Sequence, residues 1–182
     1  MIKNFYIFRN GQSSYNLAGR LQGQSNVSVL TQTGINQAFA AADFLKDKNI
    51  EVIVSSPQRR ARQTGSIIAK QLHTDICYDS RIAEANIGIA DGKPINKVKA
   101  LNSNSSKLFK DGENKETLRK RVLSALNDYA LGDYQNIAVS SHNFSILEAL
   151  QGLKVSKSQI NNGEIVHLQY DGNNWKYIPI LN

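Results

Sequence analysis

The sequence predicts an α/β fold, a three-layer sandwich in which a mostly parallel central sheet is flanked by helices. Two observations carry this expectation. Short apolar runs with strand character alternate along the chain with longer segments of helical periodicity, the pattern of strands joined by crossover helices. At 182 residues and 41% hydrophobic content the chain is also long enough to bury roughly two-thirds or more of its unfolded surface in one core. One domain over residues 1–182 is expected, with a short lid-like insertion at about 91–115.

The first run, NFYIF at 4–8, reads as a buried strand. Residues 30–47 place Ile35, Ala38, Phe39, Ala42 and Leu45 on one helical face, behind Thr31 as a cap candidate. EVIVSS at 51–56 is a second strand. Pro57 is expected to open a helix running to Lys70, since its fixed φ suits a first turn and its missing N–H is not needed there. LNSNSSKLFKDGENK at 101–115 reads as a loop or lid, and a helix from about Glu116 to Tyr129 follows it. NIAVSS at 136–141 is another strand, and FSILEALQG is a helix ending at Gly152 with Asn143 as its expected N-cap. EIVHLQY and NWKYIPI form two final strands flanking the DGNN turn.

Composition excludes several classes of function. The N-terminus has a charge at position 3 and only four consecutive apolar residues, and no long apolar run occurs anywhere. Neither a signal peptide nor a membrane partner is expected, and a cytoplasmic location is. Cys77 is the only cysteine, and His73, His142 and His167 lie far apart, so no metal and no cofactor is expected. The net charge of +7 is uneven: residues 93–121 hold nine Lys or Arg against three acids. Such a stretch is either a solvated helix face with a loop or a basic rim that concentrates an anionic ligand. Aromatic residues do not interleave with these lysines, so nucleic acid is not an expected partner.

In open α/β sheets ligands sit at the carboxyl ends of strands. Arg9-Asn10-Gly11 ends the first strand, Ser55-Ser56-Pro57 with Arg59 and Arg60 ends the second, and Ser141-His142-Asn143 ends a later one. Two arginines and a histidine on one rim, with Asn16 nearby, make a set of donors suited to phosphate oxygens. Taken singly, each of these arginines reads as a surface ion pair and His142 as a core or capping residue. Their joint placement at successive strand ends is what marks a site.

Over nearly its whole length the chain resembles the histidine phosphatase superfamily, the phosphoglycerate-mutase-like fold. Six motifs carry the resemblance in order: Arg9-Asn10-Gly11-Gln12-Ser13 with Asn16 and RLQG at 20–23; LTQTGINQA at 30–38; SSPQRRARQT at 55–64; RIAEANIG at 81–88; Gly112-Glu113-Asn114 eight residues ahead of Arg121; and VSSHN at 139–143. The resemblance implies a phosphohistidine mechanism, in which a histidine attacks phosphorus in line and an acid protonates the leaving oxygen. It implies phosphate binding by Arg9, Arg60 rather than Arg59, His142 and Asn16, and proton donation by Glu84. Ser13, Gln22 and Gly23 are candidate substrate contacts, and Lys93 and Lys97 of the lid are candidates for a substrate's far end. The implied ligand is a small anionic phosphorylated molecule. A lid this short and poor in apolar anchors is expected to be mobile and to admit water, which favours hydrolysis over phosphoryl return.

The family pattern puts the nucleophilic histidine at position 10, and this chain has asparagine there. An amide nitrogen delocalises its lone pair and does not attack phosphorus, although it can donate a hydrogen bond. Two explanations of Asn10 stand. One is a substitution introduced into a histidine-bearing small-molecule phosphatase, consistent with the retained Glu84. The other is a natural pseudophosphatase that binds a phosphorylated ligand without turnover, and asparagine, at 19 of 182 residues, is common enough in this chain to arise there by drift. A phosphoglycerate mutase or a phosphoprotein phosphatase is a further alternative.

Overall fold

The computed structural model describes residues 2–98, 100 and 104–180. Lys99 and residues 101–103, within the expected lid, lie outside the described residues. In chain order the elements are β1 (Lys3–Arg9), α1 (Ser14–Leu17), α2 (Gln32–Leu45), β2 (Val52–Ser55), α3 (Arg59–Leu72), β3 (Ile76–Tyr78), α4 (Lys115–Leu131), β4 (Asn136–Ser141), α5 (Asn143–Gly152), β5 (Ile165–Tyr170) and β6 (Trp175–Ile178). Three short 3₁₀ turns lie between β3 and α4.

One six-stranded sheet orders these strands β3-β2-β4-β1-β5-β6. The first four are mutually parallel, and β5 and β6 form an antiparallel extension at one edge. Side-chain alternation in the central strands builds a core on each face. Phe5 and Ile7 of β1 join Val52, Val54, Ile137 and Val139 in a cluster closed by α4 and α5 residues such as Leu118, Val122, Ile146 and Leu150. Tyr6 and Phe8 join Ile53 and Ala138 beneath Ala41, Ala42 and Leu45 of α2 and Ile68 of α3. This period-two division makes three layers of a sheet and two helix pairs, and each large apolar side chain so buried contributes about 1.5–3 kcal/mol.

Several boundaries differ from the sequence reading, each for a local physical reason. Helix α3 begins at Arg59, not Pro57, because Gln58 is extended at φ −69° and ψ 136°, and its side chain is bonded to Gly23 O and the Glu84 N–H instead. Helix α5 is capped by His142, which takes the extended N-cap conformation without a side-chain cap bond. Asn143 is the first helical residue, and its Oδ1 accepts from Ile160 N at 3.0 Å rather than capping. Thr31 caps α2 as expected, accepting from Gly34 N at 3.1 Å. The 91–115 segment has the apolar anchor it was expected to lack: Phe109 is buried and meets Phe144 edge-on, ring centroids 6.3 Å apart. Packing against α5 therefore ties the second half of the segment to the core.

The turn after β1 touches α2 backbone to backbone. A Cβ on Gly34 would lie 2.1 Å from Gln12 O, and one on Gly11 would lie 2.3 Å from Gly34 O. Both positions require glycine because two main chains approach where no side chain fits. Gly34→Ala is expected to lower the unfolding free energy by about 1–3 kcal/mol, as overpacking does, measured by urea denaturation. A change below about 0.5 kcal/mol would show that the turn and α2 separate freely.

Candidate active site

Strand register brings three side chains abreast. Arg9 pairs with Ser141 across β1 and β4, and Ser55 pairs with Ser140 across β2 and β4. The ladder runs one residue past each strand end, through Asn10 N to Ser141 O at 2.9 Å and Ser56 N to Ser140 O at 2.9 Å. Asn10, His142 and Ser56 therefore stand in a row. Asn10 Nδ2 donates to Gly11 O at 2.8 Å, which turns Oδ1 to His142 Nδ1 at 3.0 Å. Because Oδ1 only accepts, Nδ1 carries the proton, and Nε2 accepts from Ser56 Oγ at 2.8 Å. His142 is thus neutral with both ring nitrogens occupied. Its pKa lies well below the ordinary 6.5, first because it is buried, then because Arg60, Arg9 and Arg121 are near.

Two guanidinium groups reach the same place. Arg9, at the end of β1, donates to Ile160 O at 2.6 Å. Arg60 is buried in the first turn of α3, with Nη1 on Ser25 O at 3.2 Å and Nη2 on Gly23 O at 2.9 Å. Burial lowers both pKa values, that of Arg60 to about 10, and Glu84 opposes the shift in each. Arg59, its sequence neighbour, is exposed. Asn16 Oδ1 accepts from Ser13 N at 3.1 Å, Ser13 Oγ at 2.9 Å and Asn162 Nδ2 at 3.1 Å. Three donors around Oδ1 fix the amide, so on the cleft wall that Asn16 lines the Nδ2 group acts as a donor.

Glu84 is buried at the N-terminus of α5. Its Oε1 accepts from Ala85 N at 2.9 Å and Ser145 N at 3.1 Å, and its Oε2 from Phe144 N at 3.2 Å. Burial raises its pKa, while the backbone donors, Arg60 and Arg9 pull it down. Oε2 has fewer protein partners, so it is the oxygen free to hold a proton. Arg121 fixes the backbone that presents Glu84: Nη1 donates to Arg81 O and Ala83 O at 2.7 Å each, and Nη2 to Glu84 O at 3.1 Å. Glu113 holds Arg121 with contacts of 2.8 and 2.9 Å. This pairing explains the spacing between Glu113 and Arg121 that the sequence shows.

Arg9, Asn10, Asn16, Gln22, Arg60 and Glu84 line one cleft of about 190 Å³, with Arg20, Leu21, Ile95, Asn143 and Phe144. That is below the roughly 300 Å³ at which pockets for drug-sized ligands begin. His142 lies behind Asn10 as the second layer of the wall. Ser13 is fully buried as the N-cap of α1, and Gly23 offers its carbonyl to Arg60 and Gln58 rather than to the cleft. Lys93 and Lys97 are not among the lining residues, whereas Ile95 between them is. Sequence reasoning missed Ser56, Asn162 and Asp91, which act one step back from the cleft. A larger groove of about 650 Å³ near Leu30, Pro57 and Arg59 holds no comparable acid and histidine set. Among the described residues, no three His, Cys, Asp or Glu side chains cluster to hold a metal ion, and no helix is long and apolar enough to cross a membrane.

Comparison with known proteins bears on the family and the fold. The profile of the histidine phosphatase superfamily (branch 1) matches residues 5–180. A protein of Hydrogenobacter thermophilus named "Putative phosphoserine phosphatase 2" is 36% identical over 78% of this chain and 73% of its own length. One of Yersinia pestis named "Probable phosphoglycerate mutase GpmB" is 32% identical over 67% of this chain, which spans 60% of that relative's length. Among solved structures, mycobacterial glucosyl-3-phosphoglycerate phosphatase in complex with VO3 superposes with a TM-score of 0.82 over 96% of this chain and 97% of its own, at 21% identity. A structure titled "Mycobacterial hydrolase 1" gives 0.86 over 98% of both chains at 20% identity. At these identities the structural likeness concerns the fold.

The buried neutral histidine has a consequence for stability. Its folded pKa is depressed below 6.5, so its contribution is present above pH 6.5 and is lost as pH falls through the window beneath it. Relative to His142→Gln, the unmutated protein is expected to lose stability between pH 7 and pH 5 with a slope approaching about 1.4 kcal/mol per pH unit. Denaturant unfolding of both proteins across that range measures the difference, and a flat difference would mean that His142 is not held neutral.

Proposed function

The chain belongs to the histidine phosphatase superfamily, and from that premise we propose that its cleft binds the phosphoryl group of a small phosphorylated metabolite. The observation that carries the reading is the convergence of Arg9, Asn10, Arg60 and Glu84 on one small cleft. Arg9, Arg60 and the Asn16 amide supply donors to the equatorial oxygens, and Glu84 stands where a leaving oxygen needs a proton. Position 10 faces phosphorus. An imidazole there can donate from Nδ1 to Gly11 O, as Asn10 Nδ2 does at 2.8 Å, and present Nε2 to the cleft. In a histidine-bearing form Nε2 attacks phosphorus, the ester P–O bond breaks and the leaving oxygen takes the Glu84 proton. Water then attacks the phosphohistidine, the N–P bond breaks, and Glu84 recovers a proton from the water. With Asn10 no N–P bond forms, and the chain holds its ester without this turnover.

One observation favours a resident ligand-binding role for the chain as it stands. Both ends of the Asn10 amide are hydrogen-bonded in a nearly inaccessible position, so asparagine fits the site without an unpaired polar group.

Asn10→His is expected to hydrolyse an aryl phosphate at least about 10⁴-fold faster than the unmutated chain, given what the loss of a covalent nucleophile costs elsewhere. Equal rates in the two proteins would remove position 10 from the mechanism. The same variant with 3-phosphoglycerate and a trace of 2,3-bisphosphoglycerate should release free phosphate faster than it forms 2-phosphoglycerate; the reverse order would identify a mutase.

Phosphate or vanadate should bind the unmutated chain, since the donors need no nucleophile, and should bind less tightly as salt rises. Arg60→Ala is expected to weaken that affinity by about 2–3 kcal/mol, read by calorimetric titration. A loss below about 0.5 kcal/mol would place the anion on other groups.

A further inference from the structure

Arg60 does not hold its own position. Its two terminal nitrogens donate to the carbonyls of Ser25 and Gly23, at 3.2 and 2.9 Å, so its aim is set by the loop that carries those carbonyls. The same two residues donate their own N–H groups to one carboxylate, Gly23 N to Asp91 Oδ1 at 3.2 Å and Ser25 N to Asp91 Oδ2 at 2.9 Å. The approach is close: a Cβ on Gly23 would lie 2.7 Å from Ile87 Cγ1 and 3.2 Å from Asp91 Oδ2. Asp91 opens the segment that leads to Ile95, which stands on the cleft wall at the start of the 3₁₀ turn Ile95–Lys97.

We propose that Asp91 is the positioning residue for Arg60, holding the 23–25 loop by its two N–H groups so that the loop's carbonyls present the guanidinium to the ligand. The proposal rests on the reading of the cleft as an anion site and adds a residue that does not line it. Two-point attachment explains why a carboxylate serves here: its two oxygens accept from N–H groups two residues apart, whereas a side-chain amide has one acceptor and would set its NH₂ against the other N–H. Asp91 is also negative and close enough to support the charge of the buried Arg60.

The test separates positioning from bulk electrostatics because the two predict opposite signs. Asp91→Asn removes a negative charge near an anion site, which on Coulombic grounds tightens anion binding. Misplacement of Arg60 weakens it. Titration of the full-length protein with inorganic phosphate is expected to show about tenfold weaker binding for Asp91→Asn, the scale of one disturbed charge-assisted hydrogen bond. In nitrogen-15 NMR, the separate Nη–H resonances of a pinned Arg60 are expected to merge as its carbonyl partners move. Unchanged or tighter phosphate binding by Asp91→Asn overturns the proposal. If the unmutated chain binds no phosphate while the Arg60 resonances still respond to Asp91→Asn, the anion-site reading fails and the positioning role stands; if they do not respond either, both fall.

Discussion

The in-register carboxyl ends of β1, β4 and β2 are the constraint on which the rest of the site depends. Parallel strands deliver their ends to the same side of the sheet, and pairing of Arg9 with Ser141 and Ser55 with Ser140 sets those ends level. A shift of one residue in either ladder would move every core side chain to the opposite face, so the two apolar clusters that hold the sheet together also hold Asn10, His142 and Ser56 in a row. The site's precision is inherited from the core. The strand ends fix position 10, while side chains from elsewhere hold the loops that face it: Asp91 the 23–25 loop and Arg121 the backbone of Glu84.

Burial sets the electrostatic character of the site around that row. Arg9, Arg60, His142 and Glu84 all give up water, and each responds in the direction burial dictates: the arginines and the histidine shift down and the carboxylic acid up. The cleft wall itself carries Arg9, Arg20 and Arg60 against Glu84 alone, while Asp91 and Glu164 offset the charge of Arg60 and Arg9 from nearby. An anion entering the cleft meets donors already stripped of solvent, whose interactions are stronger than they would be in water.

The sheet was legible in the sequence because its strands are short apolar runs punctuated by Ser, Pro and Gly, and because α2 carries helical periodicity, although Phe39, read on its apolar face, is exposed and Ala41 is buried instead. Strand β3, three residues at a sheet edge, has no such signal, and α1 is a single turn held by the Ser13 and Asn16 side chains. Arg9, Asn10 and His142 could be marked because each stands at the end of a strand, with Asn16 close by in the chain, whereas the role of Glu84 came only from the family resemblance. The strand-end pattern left Arg59 and Arg60 both open, and the resemblance chose Arg60, the one of the two that is buried. What the sequence could not reveal is which groups stand behind them. The carboxylate of Asp91 meets residues 68 and 66 positions earlier in the chain, and Asn162 reaches back 152 residues to Asn10 O. Contacts of this kind depend on tertiary closure and leave no local periodicity. The lid misled for a related reason: Phe109, one aromatic among serines and lysines, finds Phe144 only once α5 is packed.

The amide at position 10 has a consequence for how such a protein can change over time. Between Gly11 O and His142 Nδ1 it completes a hydrogen-bonded row that is self-consistent in the absence of any reaction. Folding therefore exerts no veto on an asparagine at this position, whatever a histidine there would do. Glycine 34 and arginine 60 are in the opposite situation, since replacing either disturbs backbone contacts on which other elements rest. In this architecture the residue at position 10 is thus separable from Arg9, Arg60 and Glu84: it can change by one step while the folded, charged receptacle around it stays as it is.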